Sequence, residues 1–139
     1  MMDEVGKILK FVGIKRTNAV SLQTVAEQCL NKKAVIALLK NSKLPAKYIL
    51  RYLGITARSL STKIDTTKLS VPVSDRVLDL AQLYVHGIDA FDSVDKFNLW
   101  LETPIPVLEG RKPIDLIQSR RGMMAVDEII LRIEYGMFA

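Results

Sequence analysis

The stretch Phe97–Ala139, FNLWLETPIPVLEGRKPIDLIQSRRGMMAVDEIILRIEYGMFA, decides the fold. Its first residues form a short amphipathic piece ending in Trp100 and Leu101. That piece runs into Pro104 and Pro106, which lack amide donors and cannot continue a helix. The helix must therefore stop near Glu102. Gly110 then supplies a permissive turn, and Pro113 stands where a helix tolerates a missing N–H, predicting a short helix from Pro113 to about Gln118. Ser119 can cap the next segment, in which Val126, Ile129, Ile130 and Ile133 recur at i, i+3, i+4 and i+7. This is the stripe of a core-facing helix. Gly136 closes it as a left-handed stop, leaving Met137, Phe138 and Ala139 as an apolar tail.

Working back along the chain, Asp92 can cap the helix that carries Val94, Phe97 and Trp100, and the domain junction falls at Phe91 to Ser93. The expected division is residues 1–91 and 92–139. Before it, Ser74 is read as the cap of a long helix with Asp75 in its first turn and Val77, Leu80, Ala81, Tyr84 and Ile88 as its apolar stripe. The polar segment from Asp65 to Pro72 reads as a loop broken by the proline.

Leu44 and Pro45 start a helix to about Leu53. Gly54 and Ile55 turn the chain, and Thr56 caps a second helix through about Ile64. Two short helices joined by a glycine-containing turn, over about residues 45–64, make the helix-turn-helix pattern. The second helix presents Thr56, Ala57, Arg58, Ser59, Thr62 and Lys63, hydroxyls and cations able to contact phosphates and base edges in a major groove. Lys47 and Lys68 complete the candidate set. The bland alternative is a helical hairpin whose polar face does nothing. Leu50 stands where such units usually place a small residue, so either the crossing is looser or this leucine replaces another core residue.

Further upstream, Asp3 and Glu4 suit the start of a helix over residues 3–13 with Val5, Ile8, Leu9 and Val12 on one face. Thr17 and Asn18 read as a turn. Ser21 can cap a helix to about Leu30, with Val20, Leu22, Val25, Ala26 and Cys29 on its apolar side, and Asn31 can cap the one after it. The β-branched residues fall at helical rather than alternating spacing, so the expected class is all-α.

Charge divides the chain as well. Residues 1–70 hold 13 Lys and Arg against 4 Asp and Glu, net +9, whereas residues 71–139 hold 7 against 11, net −4. A basic half joined to an acidic half points to two partners of different charge, the first a polyanion such as DNA. The alternative is a solvated lysine-rich surface. The single cysteine, Cys29, excludes a disulfide framework and a zinc cluster and fits a reducing cytoplasm. No apolar stretch reaches signal-peptide or membrane-spanning length, so neither export nor a membrane is expected.

Little supports an enzyme. The one histidine, His86, lies beside Gly87 on a helix and reads as a surface or packing residue. Asp89, Asp92 and Asp95 recur every three residues, but they read as helix-end caps rather than a cation site. No phosphate loop, metal spacing or nucleophile elbow is present, so no cofactor, no metal and no catalytic residue are expected.

Trp100-Leu101, the proline loop, Gly110, Pro113-Ile114-Asp115-Leu116, Gly122, Val126 and Leu131 through Phe138 together resemble the toxin-binding domain of Xre/MbcA/ParS-like antitoxins. Glu109 stands where that family usually has a second glycine, and Ser119 where threonine is commoner. Gly54 through Leu60, Leu69-Ser70 and Ser74 through Val77 resemble the Xre-like N-terminal domain of the same antitoxins. The resemblance implies a cognate RES-domain toxin that consumes NAD, with the antitoxin covering its active site. On that basis Tyr135, Gly136, Met137, Phe138 and Ala139 are expected to obstruct the nucleotide pocket. Trp100, the Pro104–Gly110 loop with its Leu108, Arg132 and Glu134 are expected to form or support the docking surface. Trp100 also fits a core position. The basic half is expected to bind operator DNA as a homodimer and repress its own operon, within a toxin–antitoxin hetero-oligomer. Two alternatives stay open: a stand-alone helix-turn-helix regulator with a C-terminal dimerisation domain, and a toxin-binding antitoxin without DNA binding.

Overall fold

The computed structural model describes residues 3–15 and 21–136. The expected turn at Thr17 and Asn18, the apolar contribution of Val20, and Met137, Phe138 and Ala139 lie outside the described residues. Among those described, every regular element is a helix, and the one extended pairing is an isolated bridge between Asn31 and Lys68. The class is all-α. Among the described residues no helix is long and apolar enough to cross a membrane. The chain divides into two compact units, Met1–Val85 and His86–Ala139.

The first unit opens with α1 (Glu4–Phe11), whose Asp3 cap accepts from the Gly6 N–H at 2.8 Å. Next come α2 (Leu22–Glu27), capped by Ser21, and α3 (Lys32–Ser42). Asn31 precedes α3 but its side chain makes no capping bond. The backbone explains why. The Lys32 and Lys33 amides donate instead to the Thr67 and Asp65 carbonyls, and the Leu69 amide donates to the Leu30 carbonyl at 2.8 Å. A distant loop thus satisfies the donors that a capping side chain would have taken. Lys32 Nζ adds a bond to the Lys63 carbonyl at 2.9 Å, and Lys68 Nζ one to the Gln28 carbonyl at 3.0 Å.

The helices α4 (Ala46–Leu53) and α5 (Ala57–Ser61) are joined by Gly54, at φ +74°, and by Ile55 and Thr56. Leu50 is buried, as are Ile49, Leu53 and Leu60, so that leucine is part of the core. The expected extension of the second helix to about Ile64 is not realised. The Ser61 and Thr62 hydroxyls donate back to the Arg58 and Ser59 carbonyls, a local competition with helical bonding, and the chain leaves toward the loop that pairs with α3.

The long helix α6 (Val71–Phe91) begins earlier than expected. Its start is set by Ser70, whose Oγ accepts from the Val73 N–H at 3.2 Å, and Pro72 falls in the first turn where no amide donor is needed. Ser74 is therefore not the cap. It is fully buried inside the helix, and its Oγ accepts from the Leu30 N–H at 2.8 Å. Val77, Leu80, Ala81 and Tyr84 form the buried stripe of this part, with Phe11 stacked on Tyr84.

In the second unit, α6 ends as Asp92 enters the left-handed region at φ +73°. Ser93, not Asp92, caps α7 (Val94–Leu101), its Oγ accepting from the Lys96 N–H at 3.1 Å. A single 3-10 turn (Pro106–Leu108) leads to α8 (Pro113–Leu116) and α9 (Arg120–Glu134). Ser119 caps α9 by accepting from the Gly122 N–H, and Gly136 follows the helix at φ +68°. Phe97, Leu101, Val126 and Ile130 are wholly buried in this unit.

Candidate functional site

The C-terminal unit is built on two close approaches that only glycine permits. A Cβ on Gly122 would stand 1.8 Å from the Leu116 carbonyl oxygen, so the first turn of α9 lies directly against the end of α8. A Cβ on Gly87 would stand 2.6 Å from the Phe97 ring. Around that ring, Phe91, Phe97 and Trp100 form an aromatic trio with centroids 5.2 to 6.1 Å apart. Trp100 is half-buried there. His86 is buried and its Nδ1 lies 2.6 Å from Asp127 Oδ1, which pins α9 from within.

Supported in this way, α9 has two apolar faces. Met123, Val126, Ile129 and Ile130 face the core. On the other side, Met124, Leu131 and Tyr135 follow one another at i, i+7 and i+11, spacing that places them on one stripe. Met124 is 59% exposed and Tyr135 75%, and Leu131 is half-exposed. Beside this stripe Arg132 Nη2 pairs with Glu128 Oε1. An exposed aromatic and two aliphatic side chains beside an arginine are the residue types that anchor protein interfaces.

Of the expected docking residues, Arg132, Glu134, Tyr135 and Gly136 are exposed at the end of α9 and Leu108 is half-exposed in the 3-10 turn. Met137, Phe138 and Ala139 lie outside the described residues. Two exposed apolar side chains of this unit escaped the sequence reading, Leu99 at 71% and Met124, while Val107, at 53%, lies in the expected Pro104–Gly110 loop. Their signal was available, because Leu99 and Met124 stand off the core-facing stripes of α7 and α9 and yet are not polar.

In the first unit, Thr56, Ala57, Arg58 and Thr62 are exposed on or next to α5, and the Thr56 hydroxyl caps that helix by accepting from the Ser59 N–H at 3.0 Å. Ser59 and Lys63 are brought together, Nζ to Oγ at 3.0 Å, and both are half-buried. Lys68 is exposed but tied to the Gln28 carbonyl. Lys47 is exposed on α4. Among the described residues no group of histidine, cysteine and carboxylate side chains is placed to hold a metal ion.

A helical unit that ends in a solvent-facing apolar stripe belongs to the class of protein-binding domains, and comparison with known proteins gives the class a name. Residues 86–136 match the family described as the antitoxin Xre/MbcA/ParS C-terminal toxin-binding domain. Residues 86–136 are thus read as an Xre/MbcA/ParS-type toxin-binding domain, and the chain is similar to antitoxins of that kind. Similar proteins include the Prs ADP-ribosylating antitoxin of Sphingobium sp. (strain YBL2), 35% identical over 80 residues that make up 51% of this chain and 50% of that protein. The Antitoxin Xre of Yersinia enterocolitica is 29% identical over 100 residues, 70% of this chain and 68% of the relative. The Antitoxin Xre of Photorhabdus laumondii is 31% identical over 91 residues, 64% of this chain and 62% of the relative. The chain thus spans about half the length of the Sphingobium relative and about two thirds of the other two.

Proposed function

We propose that this antitoxin neutralises a RES-domain, NAD-consuming toxin by laying the outer stripe of α9 against it and covering the active site with Tyr135, Gly136 and the residues that follow. The observation that carries this reading is the second apolar face of α9, with Met124, Leu131 and Tyr135 turned away from the core inside a matched toxin-binding domain. The toxin's identity rests on the resemblance given above. The chain acts as a binder in this reading, in the cytoplasm where NAD is consumed. Co-expression with the neighbouring toxin gene tests it: cellular NAD is preserved by the intact chain and falls when Met124 and Tyr135 are replaced by aspartate.

The same reading gives the first unit the task of binding operator DNA as a homodimer, so that the antitoxin represses its own operon. Support comes from the exposed Arg58, Thr56 and Thr62 on a short helix after a glycine turn, within a basic half of the chain. A gel-shift with the DNA upstream of the gene, repeated with Arg58→Ala, tests this part apart from toxin binding.

The name of the Sphingobium relative joins the word antitoxin to ADP-ribosylation and favours a second reading of the partner, a toxin that transfers ADP-ribose to a protein rather than one that only degrades NAD. Labelled NAD separates the two. The label ends on protein in the second case and in free products in the first.

A further inference from the structure

Residues 28–64 contain eight lysines and arginines and no aspartate or glutamate, so the charge of this stretch is not cancelled within it. Helix α4 runs through its middle. Ile49, Leu50 and Leu53 are buried on one side, while Lys47 and Arg51 are exposed and Tyr48 is half-exposed on the other. Both cations share one ring: Lys47 Nζ lies 5.1 Å from the Tyr48 centroid and Arg51 Cζ 5.5 Å.

The negative face of the ring attracts each cation and so restrains two side chains that would otherwise lose rotamer freedom on binding. The same arrangement gathers two positive charges, whose mutual repulsion an anion relieves. The arginine adds a planar fork that matches phosphate oxygens, and the lysine a compact charge. In helix-turn-helix units the first helix crosses the nucleic-acid backbone while the second enters the groove.

We propose that Lys47, Tyr48 and Arg51 form a clamp for backbone phosphates, with Tyr48 organising the two cations. The inference rests on the DNA-binding reading and adds Tyr48 and Arg51 to it. The clamp sets position and contributes salt-dependent affinity, and it carries no sequence information.

The test is fluorescence anisotropy of the full chain with a labelled mixed-sequence duplex of about 30 base pairs, between about 50 and 200 mM salt. For the wild type, the logarithm of the binding constant falls linearly with the logarithm of salt. The Lys47→Ala/Arg51→Ala variant binds more weakly, and its slope is shallower by about 1 to 2, the counterions no longer released. Tyr48→Leu keeps the slope but loses about two- to fivefold in affinity, while Tyr48→Phe, which retains a ring, matches the wild type. Melting curves that overlay the wild type's show that the fold is intact. Wild-type binding with an unchanged slope in the double variant overturns the clamp alone. A wild type without affinity for the duplex overturns the DNA-binding reading and the clamp with it. Loss of toxin binding with DNA binding retained assigns the patch to a protein partner and also overturns the clamp.

Discussion

His86 Nδ1 lies 2.6 Å from Asp127 Oδ1, a bond between residues 41 apart that joins the end of α6 to the middle of α9 within the C-terminal unit. His86 is 9% exposed. A polar ring at that depth needs its partner, because an unsatisfied buried donor or acceptor carries its full desolvation cost. Asp127→Ala is expected to lower stability by about 1–3 kcal/mol, read as a shift in the urea midpoint without a change in slope. A midpoint equal to the wild type's would mean that the bond contributes nothing.

Gly122 and Gly110 separate crowding from backbone strain. Gly122→Ala drives a methyl group into the Leu116 carbonyl, and is expected to cost about 2 kcal/mol or more by displacing the first turn of α9. Gly110→Ala meets nothing within 4 Å and bears only the left-handed penalty, about 1–2 kcal/mol. Glu109 has the same handedness, φ +57°, so Glu109→Gly is expected to stabilise by about 0.5–1 kcal/mol. Thermal melts of the three variants check this ranking.

Ser70 and Ser74 exchange the roles their sequence positions suggest. Ser70→Ala removes a helix cap and should cost about 1 kcal/mol. Ser74→Ala leaves the buried Leu30 amide without its acceptor and should cost about 1–3 kcal/mol. Chemical denaturation of both variants reads the difference, and equal small losses would contradict the assignment.

The α9 face should be separable from stability. Tyr135→Ala leaves the core untouched, since the ring is 75% exposed, yet is expected to weaken toxin binding by about 2 kcal/mol or more as an aromatic interface anchor. Calorimetry against the purified toxin, paired with an unchanged melting curve, checks it. A parallel loss of stability and binding would place Tyr135 in the fold rather than in the interface.

The features legible in the sequence are those whose cause is local. Pro113, Ser119 and Gly136 each act through their own backbone geometry, and each marks an element boundary in the structure. The misassigned caps had two adjacent candidates and a tertiary arbiter. Ser74 is claimed by an amide 44 residues away, and Asp92 by the left-handed exit of α6, which leaves Ser93 to start α7. Asn31 lost its role to carbonyls from a loop more than thirty residues downstream. The candidate site divides along the same line. Arg132, Glu134 and Tyr135 follow from the family resemblance, whereas Leu99 and Met124 are marked only by being apolar off the core-facing stripes of α7 and α9, a weak signal until their exposure is seen.

The central claim is that the end of α9 and the residues beyond it obstruct the toxin's nucleotide site. Its most direct measurement is toxin NAD turnover in the presence of the intact chain and of a chain ending at Tyr135, at equal concentrations and with folding verified for both. The account predicts that the intact chain abolishes turnover while the shortened chain folds normally and leaves turnover largely restored. Full inhibition by the shortened chain would contradict it.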